Sequence, residues 1–134
     1  MKRILLVDDE PHVIRVLRMA LEQSGYLVDA AGNGIQALEY LGRQHPDLMI
    51  TDIDMPGMDG KELCMEINST IPDRAFSIFV LTARAERELR QWASDIAGLE
   101  FMEKPVSIRR LVSKLDSFFV DDNINDEVTC QTAR

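Results

Sequence analysis

Short apolar runs alternate with amphipathic stretches along the chain. Ile4–Val7, Leu48–Ile50 and Phe76–Leu81 are mostly apolar without polar alternation, the pattern of strands covered on both faces. Tyr26–Ala30 and Leu99–Met102 carry a weaker form of it. Between these runs lie helical spacings. Val13, Val16, Leu17, Ala20 and Leu21 recur behind Pro11, a residue suited to a first helical turn. A second helix is expected over Gly34–Leu41, with Asn33 and Gln36 spaced like a capping box. A third begins at Asp59, with Glu62 three residues on, and turns Leu63, Cys64 and Ile67 inward. Ala85, Leu89, Ala93 and Ile96 mark a fourth; Ile108, Leu111, Val112, Leu115 and Phe118 mark a fifth. Five regular β-α units predict an α/β domain, a parallel sheet with helices on both faces and right-handed crossovers. The pattern stops after Phe119. A domain over residues 1–119 is therefore expected, followed at 120–134 by an acidic polar tail or the start of a linker.

A length of 134 residues suits one such domain. The net charge of -8 argues against bulk attraction to nucleic acid or anionic membranes. That charge is uneven: residues 1–83 hold 13 acids and 7 bases, whereas 84–119 hold 6 and 7. Cys64 and Cys130 are far apart and form no CxxC, so neither a disulfide framework nor a structural zinc site is expected. The start, Met-Lys-Arg then Ile4–Val7, has too short an apolar run for a signal peptide and ends in Asp8-Asp9-Glu10. A cytoplasmic protein is expected.

Ligands of open parallel sheets bind beyond the carboxyl ends of the strands. There the chain places Asp8 and Asp9 after strand 1, Asp52 and Asp54 after strand 3, Thr82 and Ala83 after strand 4, and Lys104 and Pro105 after strand 5. Converging carboxylates repel one another unless a cation intervenes, and an all-oxygen set suits octahedral Mg²⁺. Metal, ammonium and hydroxyl together make a cradle for a phosphoryl group, with a carboxylate as candidate nucleophile and Asp52 the most central.

These marks, in this order, resemble the receiver domain of two-component response regulators over Lys2–Phe119: Asp8-Asp9, Asp52 with Met55-Pro56-Gly57-Met58-Asp59-Gly60, Thr82-Ala83, and Lys104-Pro105. The resemblance implies a flavodoxin-like (βα)5 fold with strand order 2-1-3-4-5. It implies that Asp52 accepts a phosphoryl group from a histidine kinase or a histidine phosphotransfer protein. Asp9, Asp8, Asp52 and the Asp54 backbone carbonyl would hold Mg²⁺, with Mn²⁺ as the alternative. Lys104 and Thr82 would contact the phosphoryl oxygens, and the Lys104–Pro105 peptide would be cis. Phe101, three positions before the lysine, falls where the family carries its switch aromatic. Many relatives have Tyr there; Phe keeps the bulk and lacks the hydroxyl. The implied reporting surface is the fourth helix, fifth strand and fifth helix, contacting a downstream effector protein or domain, or a second copy upon phosphorylation. Arg84 and Asp54, each two positions beyond a site residue, are expected to border the site and to influence water access.

Other readings fit less well. A haloacid-dehalogenase-type phosphatase also uses a nucleophilic Asp in DxD, which Asp52-Ile53-Asp54 imitates, but such enzymes place DxD after the first strand and the acidic pair last. A flavodoxin-type cofactor binder needs a glycine-rich phosphate loop where Asp8-Asp9 stand. An interaction module without phosphorylation would not need every acceptor position filled. No turnover of an external substrate is expected. The chain is read either as a stand-alone receiver or as part of a longer regulator. His12 and His45 read as surface residues, Cys64 as core, and Trp92 as either core or partner surface.

Overall fold

The computed structural model describes residues 1–83 and 91–130, the last ten as backbone alone. Its five strands are β1 (Arg3–Val7), β2 (Leu27–Ala31), β3 (Leu48–Asp52), β4 (Ser77–Thr82) and β5 (Leu99–Glu103). They form one parallel sheet in the order β2-β1-β3-β4-β5, with Leu6 opposite both Ala30 and Ile50, and Val80 opposite Phe101. The helices α1 (Pro11–Gln23), α2 (Gly34–Leu41) and α3 (Gly60–Thr70) and a C-terminal helix (Ile108–Cys130) cover it. The fourth expected helix falls largely on 84–90, outside the described residues; 91–93 are helical.

The central strands β1, β3 and β4 bury both faces, and the core is accordingly double. On one side Leu5, Val7, Met49, Ile78 and Val80 meet Ala37 and Leu41 of α2 and Leu63, Cys64 and Ile67 of α3. On the other, Ile4, Leu6, Ile50, Phe79 and Leu81 meet Leu17 and Leu21 of α1 and Leu111, Leu115 and Phe119 of the C-terminal helix. Burying such a side chain is worth about 1.5–3 kcal/mol, so these two layers hold the sheet between the helices.

The helix starts follow the polar punctuation. Asn33 Oδ1 accepts from Gln36 N–H at 2.8 Å, while the Gln36 side chain reaches back to Gly32 N–H at 2.8 Å, one residue beyond the usual box partner. Asp59 and Glu62 close a full capping box, at 2.8 and 3.3 Å. Two features differ from expectation. Val16, in the apolar spacing of α1, is 51% exposed, because Leu17 and Leu21 already fill the contact with the sheet. The C-terminal helix continues as backbone past Phe119 to Cys130; no Gly or Pro interrupts 108–130, and backbone hydrogen bonding does not require an apolar face. Among the described residues no helix is long and apolar enough to cross a membrane.

Candidate functional site

The carboxyl ends of β1, β3, β4 and β5 set the site. Asp8 follows β1, and its N–H donates to Ala31 O at 3.2 Å. Asp52 is the last residue of β3, and the next N–H, that of Ile53, donates to Leu81 O at 3.1 Å. Thr82 closes β4, and its carbonyl accepts from Lys104 N–H at 2.7 Å. Asp8, Asp52, Thr82 and Lys104 are thus each on, or one residue beyond, a hydrogen-bonded ladder.

Carboxylate oxygens of Asp8, Asp9 and Asp52 lie within 4.8 Å of one another. Asp8 and Asp52 are only 5% and 6% exposed; Asp9 is open to solvent. Lys104 Nζ comes within 2.8 Å of Asp52 Oδ1. Beyond this ion pair, the buried oxygen has no hydrogen-bond partner among the described residues. The contact is therefore an ion pair that leaves the oxygen's lone pairs incompletely used. Burial holds the Asp8 carboxyl above the usual carboxylate range, and repulsion from Asp52 and Asp9 adds to this; the Glu10 N–H, donating to Asp8 Oδ1 at 2.9 Å, and Lys104 oppose it. Burial alone would lower the Lys104 pKa, but its pairing with Asp52 and the attraction of Asp8 and Asp54 raise it. Three carboxylates around one ammonium, one of them with an underused buried oxygen, fit a hard divalent cation with oxygen ligands.

Other expected residues take varied places. Asp54 is exposed between buried Ile53 and Met55, on the loop that leaves β3. Thr82 is 3% exposed, and Ala83 next to it is exposed. Arg84 lies outside the described residues. The Lys104–Pro105 peptide is cis. Phe101 is half-buried, and its ring stands edge-on to Trp92 with centroids 5.8 Å apart and planes at 89°. Trp92 packs against the core on the α2–α3 side, so it is not a free surface aromatic. His12 is exposed, 3.3 Å from Glu10 Oε2, and His45 stands edge-on to Phe76.

One contributor had no assigned role in the sequence. Gly60 opens α3 with its N–H donating to Ile53 O at 2.8 Å, and a Cβ there would come within 2.5 Å of Asp52 O. A glycine directly after a helix cap, eight residues beyond the central aspartate, is the signal that marks such a close approach. Gly57, at φ +76°, supplies the left-handed turn that folds the loop back.

The fold is a doubly wound α/β domain with its chemistry at the carboxyl edge of the sheet. Within that class, residues 4–116 match the response regulator receiver domain, and the chain belongs to this family of signalling domains rather than to one of substrate-turnover enzymes. It is 37% identical over 113 residues to the response regulator MprA of Mycobacterium leprae, covering 84% of this chain and 49% of that protein. Response regulator MprA of Mycobacterium ulcerans is 34% identical over 125 residues, covering 93% and 53%. The chain thus spans about half the length of the curated relatives it matches. Among solved structures, TrrA of Thermotoga maritima, in complex with Mg(2+)-BeF, is similar at 35% identity and a TM-score of 0.75, covering 87% of this chain and 98% of that one. A CheY-like receiver domain protein of Methanospirillum hungatei reaches a TM-score of 0.82 at 27% identity, covering 93% and 98%.

Proposed function

We propose that this domain is a phosphorylation-controlled switch with Asp52 as phosphoacceptor. The carrying observation is the buried Asp52, ion-paired to Lys104 within an oxygen's reach of two further carboxylates. An Asp52 oxygen attacks phosphorus, the P–N bond of a phosphohistidine donor breaks, and the imidazole leaves with the electron pair. Asp8, Asp9, Asp52 and the Asp54 carbonyl would hold a Mg²⁺ or Mn²⁺ ion, which would neutralise charge on the phosphoryl oxygens. Lys104 follows the negative charge from the carboxylate to the phosphoryl group, and the Thr82 hydroxyl donates to one of its oxygens. The MgBeF complex of TrrA supports the same use of the pocket here.

Phe101 relays the change to a face formed by β5 and the C-terminal helix, where Arg109, Arg110 and Lys114 border an open groove with Phe101 and Val106. That face receives an effector or a second copy, and a histidine kinase or phosphotransfer protein supplies the phosphoryl group. The receiver occupies residues 1–119, with 120–134 leading outward. A longer regulator carrying an effector domain is the second reading, favoured by the half-length match to the curated relatives. Asp54, exposed on the loop that leaves β3, and Arg84, two positions beyond Thr82 in the sequence, tune hydrolysis. Incubation with a small phosphodonor and Mg²⁺, followed by intact mass, tests the reading. Wild type gains one phosphoryl group and Asp52→Asn gains none; an unmodified wild type, or equal labelling of the variant, refutes it.

A further inference from the structure

Phe101 has no hydroxyl with which to fix its orientation by hydrogen bonding, yet its ring has a defined partner. Trp92 presents a perpendicular face at 5.8 Å, both rings are half-buried, and both rest on the core that includes Ile96 and Val80. Trp92 is the chain's single tryptophan and takes no part in the acidic pocket. Perpendicular aromatic pairs prefer this geometry beyond the area they bury. A ring packed in such a pair cannot turn without changing the environment of its partner.

We propose that Trp92 is the positioning residue for Phe101: it holds the ring in the packed orientation, and the two aromatics move as one unit when the site is occupied. The proposal rests on the reading of Phe101 as the switch. By reciprocity of coupling, a pair that favours one orientation of the switch ring also shifts the affinity of the pocket to which that ring is coupled. Loss of the pair should therefore shift the affinity for a phosphoryl mimic by about two- to tenfold, the range of aromatic pair energies. Trp92→Phe, which keeps an aromatic edge, should stay within about twofold of wild type on the same scale.

The experiment titrates beryllofluoride at fixed Mg²⁺ and follows the ¹⁹F resonance of the bound mimic in wild type, Trp92→Leu, Trp92→Phe and Asp52→Asn. Urea midpoints are measured alongside, because a merely structural tryptophan would lower stability without moving the titration. In wild type, acrylamide quenching of Trp92 emission should change between the free and occupied protein. A shifted affinity in Trp92→Leu, recovery in Trp92→Phe and altered quenching are the expected result. Equal binding by wild type and Trp92→Leu, or quenching that is the same in both states, overturns the role of Trp92 while leaving the pocket reading intact. Absence of binding by wild type, or binding undiminished in Asp52→Asn, overturns the pocket reading and the proposal with it.

Discussion

Replacing Gly60 by alanine probes the junction between the acidic pocket and α3. The added Cβ would lie 2.5 Å from Asp52 O, 2.6 Å from Ile53 Cα and 3.2 Å from Asp52 C. Non-bonded carbon contacts settle near 3.5–4.0 Å, so the shortfall is roughly 1 Å. All three atoms are backbone, and the 2.8 Å bond from Gly60 N–H to Ile53 O opposes separation. No side chain can rotate away. The main chain of Asp52 and Ile53 or the first turn of α3 must shift, at an expected cost of about 1–3 kcal/mol, as for overpacked cores. Gly34→Ala is the control: its Cβ would meet the Met58 side chain at 2.8–3.0 Å, and a methionine adapts. Urea unfolding should show a lower midpoint for Gly60→Ala at unchanged m-value, with Gly34→Ala closer to wild type. Phosphodonor labelling of Asp52, followed by mass, should slow by up to about 100-fold, since displacement of this order is enough to misalign a nucleophile. A Gly60→Ala protein within about 0.5 kcal/mol of wild type and labelled at the wild-type rate would refute the argument.

Asp8→Asn should raise the stability of the metal-free protein at neutral pH, because it removes a buried charge facing Asp52 and Asp9 while keeping an acceptor for Glu10 N–H. The same variant should lose much of the Mg²⁺-induced rise in Tm; a lower metal-free Tm than wild type contradicts this. Asp29 is held below the usual carboxylate range: burial raises it, but the Tyr40 hydroxyl at 2.6 Å and Arg3 at 2.9 Å outweigh burial. A lowered folded pKa means stability present above the unfolded pKa and lost as pH falls through the folded one. The deficit of Asp29→Asn, about 1 kcal/mol at pH 7, should thus shrink below about pH 4, and a pH-independent deficit counts against the network. Burial pushes the Cys64 thiol up to about 12, so peptide mapping after alkylation should find it unlabelled in the native state and labelled in urea.

The sheet was legible because β1, β3 and β4 are buried on both faces and so read as continuous apolar runs. The carboxyl ends of β3 and β4 extend slightly beyond the apolar runs: Asp52 and Thr82 look like loop residues by polarity, yet pair in register with Leu81 and Glu103. Polarity reports burial of a side chain, and ladder pairing is a property of the backbone. The strand order came from family resemblance, since periodicity alone does not order parallel strands. The acidic residues were legible from their positions at strand ends. The 2.8 Å approach of Lys104 to Asp52 was not, because it depends on how the ends of β3 and β5 converge across β4. Long-range polar ties such as Tyr26 to Asp116, 2.6 Å apart across 90 residues, leave no local trace in composition. Trp92 had two readings until Phe101 gave it a neighbour.

The bonds from Asp8 N–H to Ala31 O, Ile53 N–H to Leu81 O and Lys104 N–H to Thr82 O carry a kinetic consequence. Amides bonded into a central sheet exchange with solvent mainly when the surrounding unit opens, so these three protons should be among the slowest to exchange. Slow opening there would limit the access of water to the pocket through the sheet. The lifetime of a phosphoryl group on Asp52 would be set from above, by the side chains and loops that roof it, and could be retuned by substitutions there without weakening the sheet.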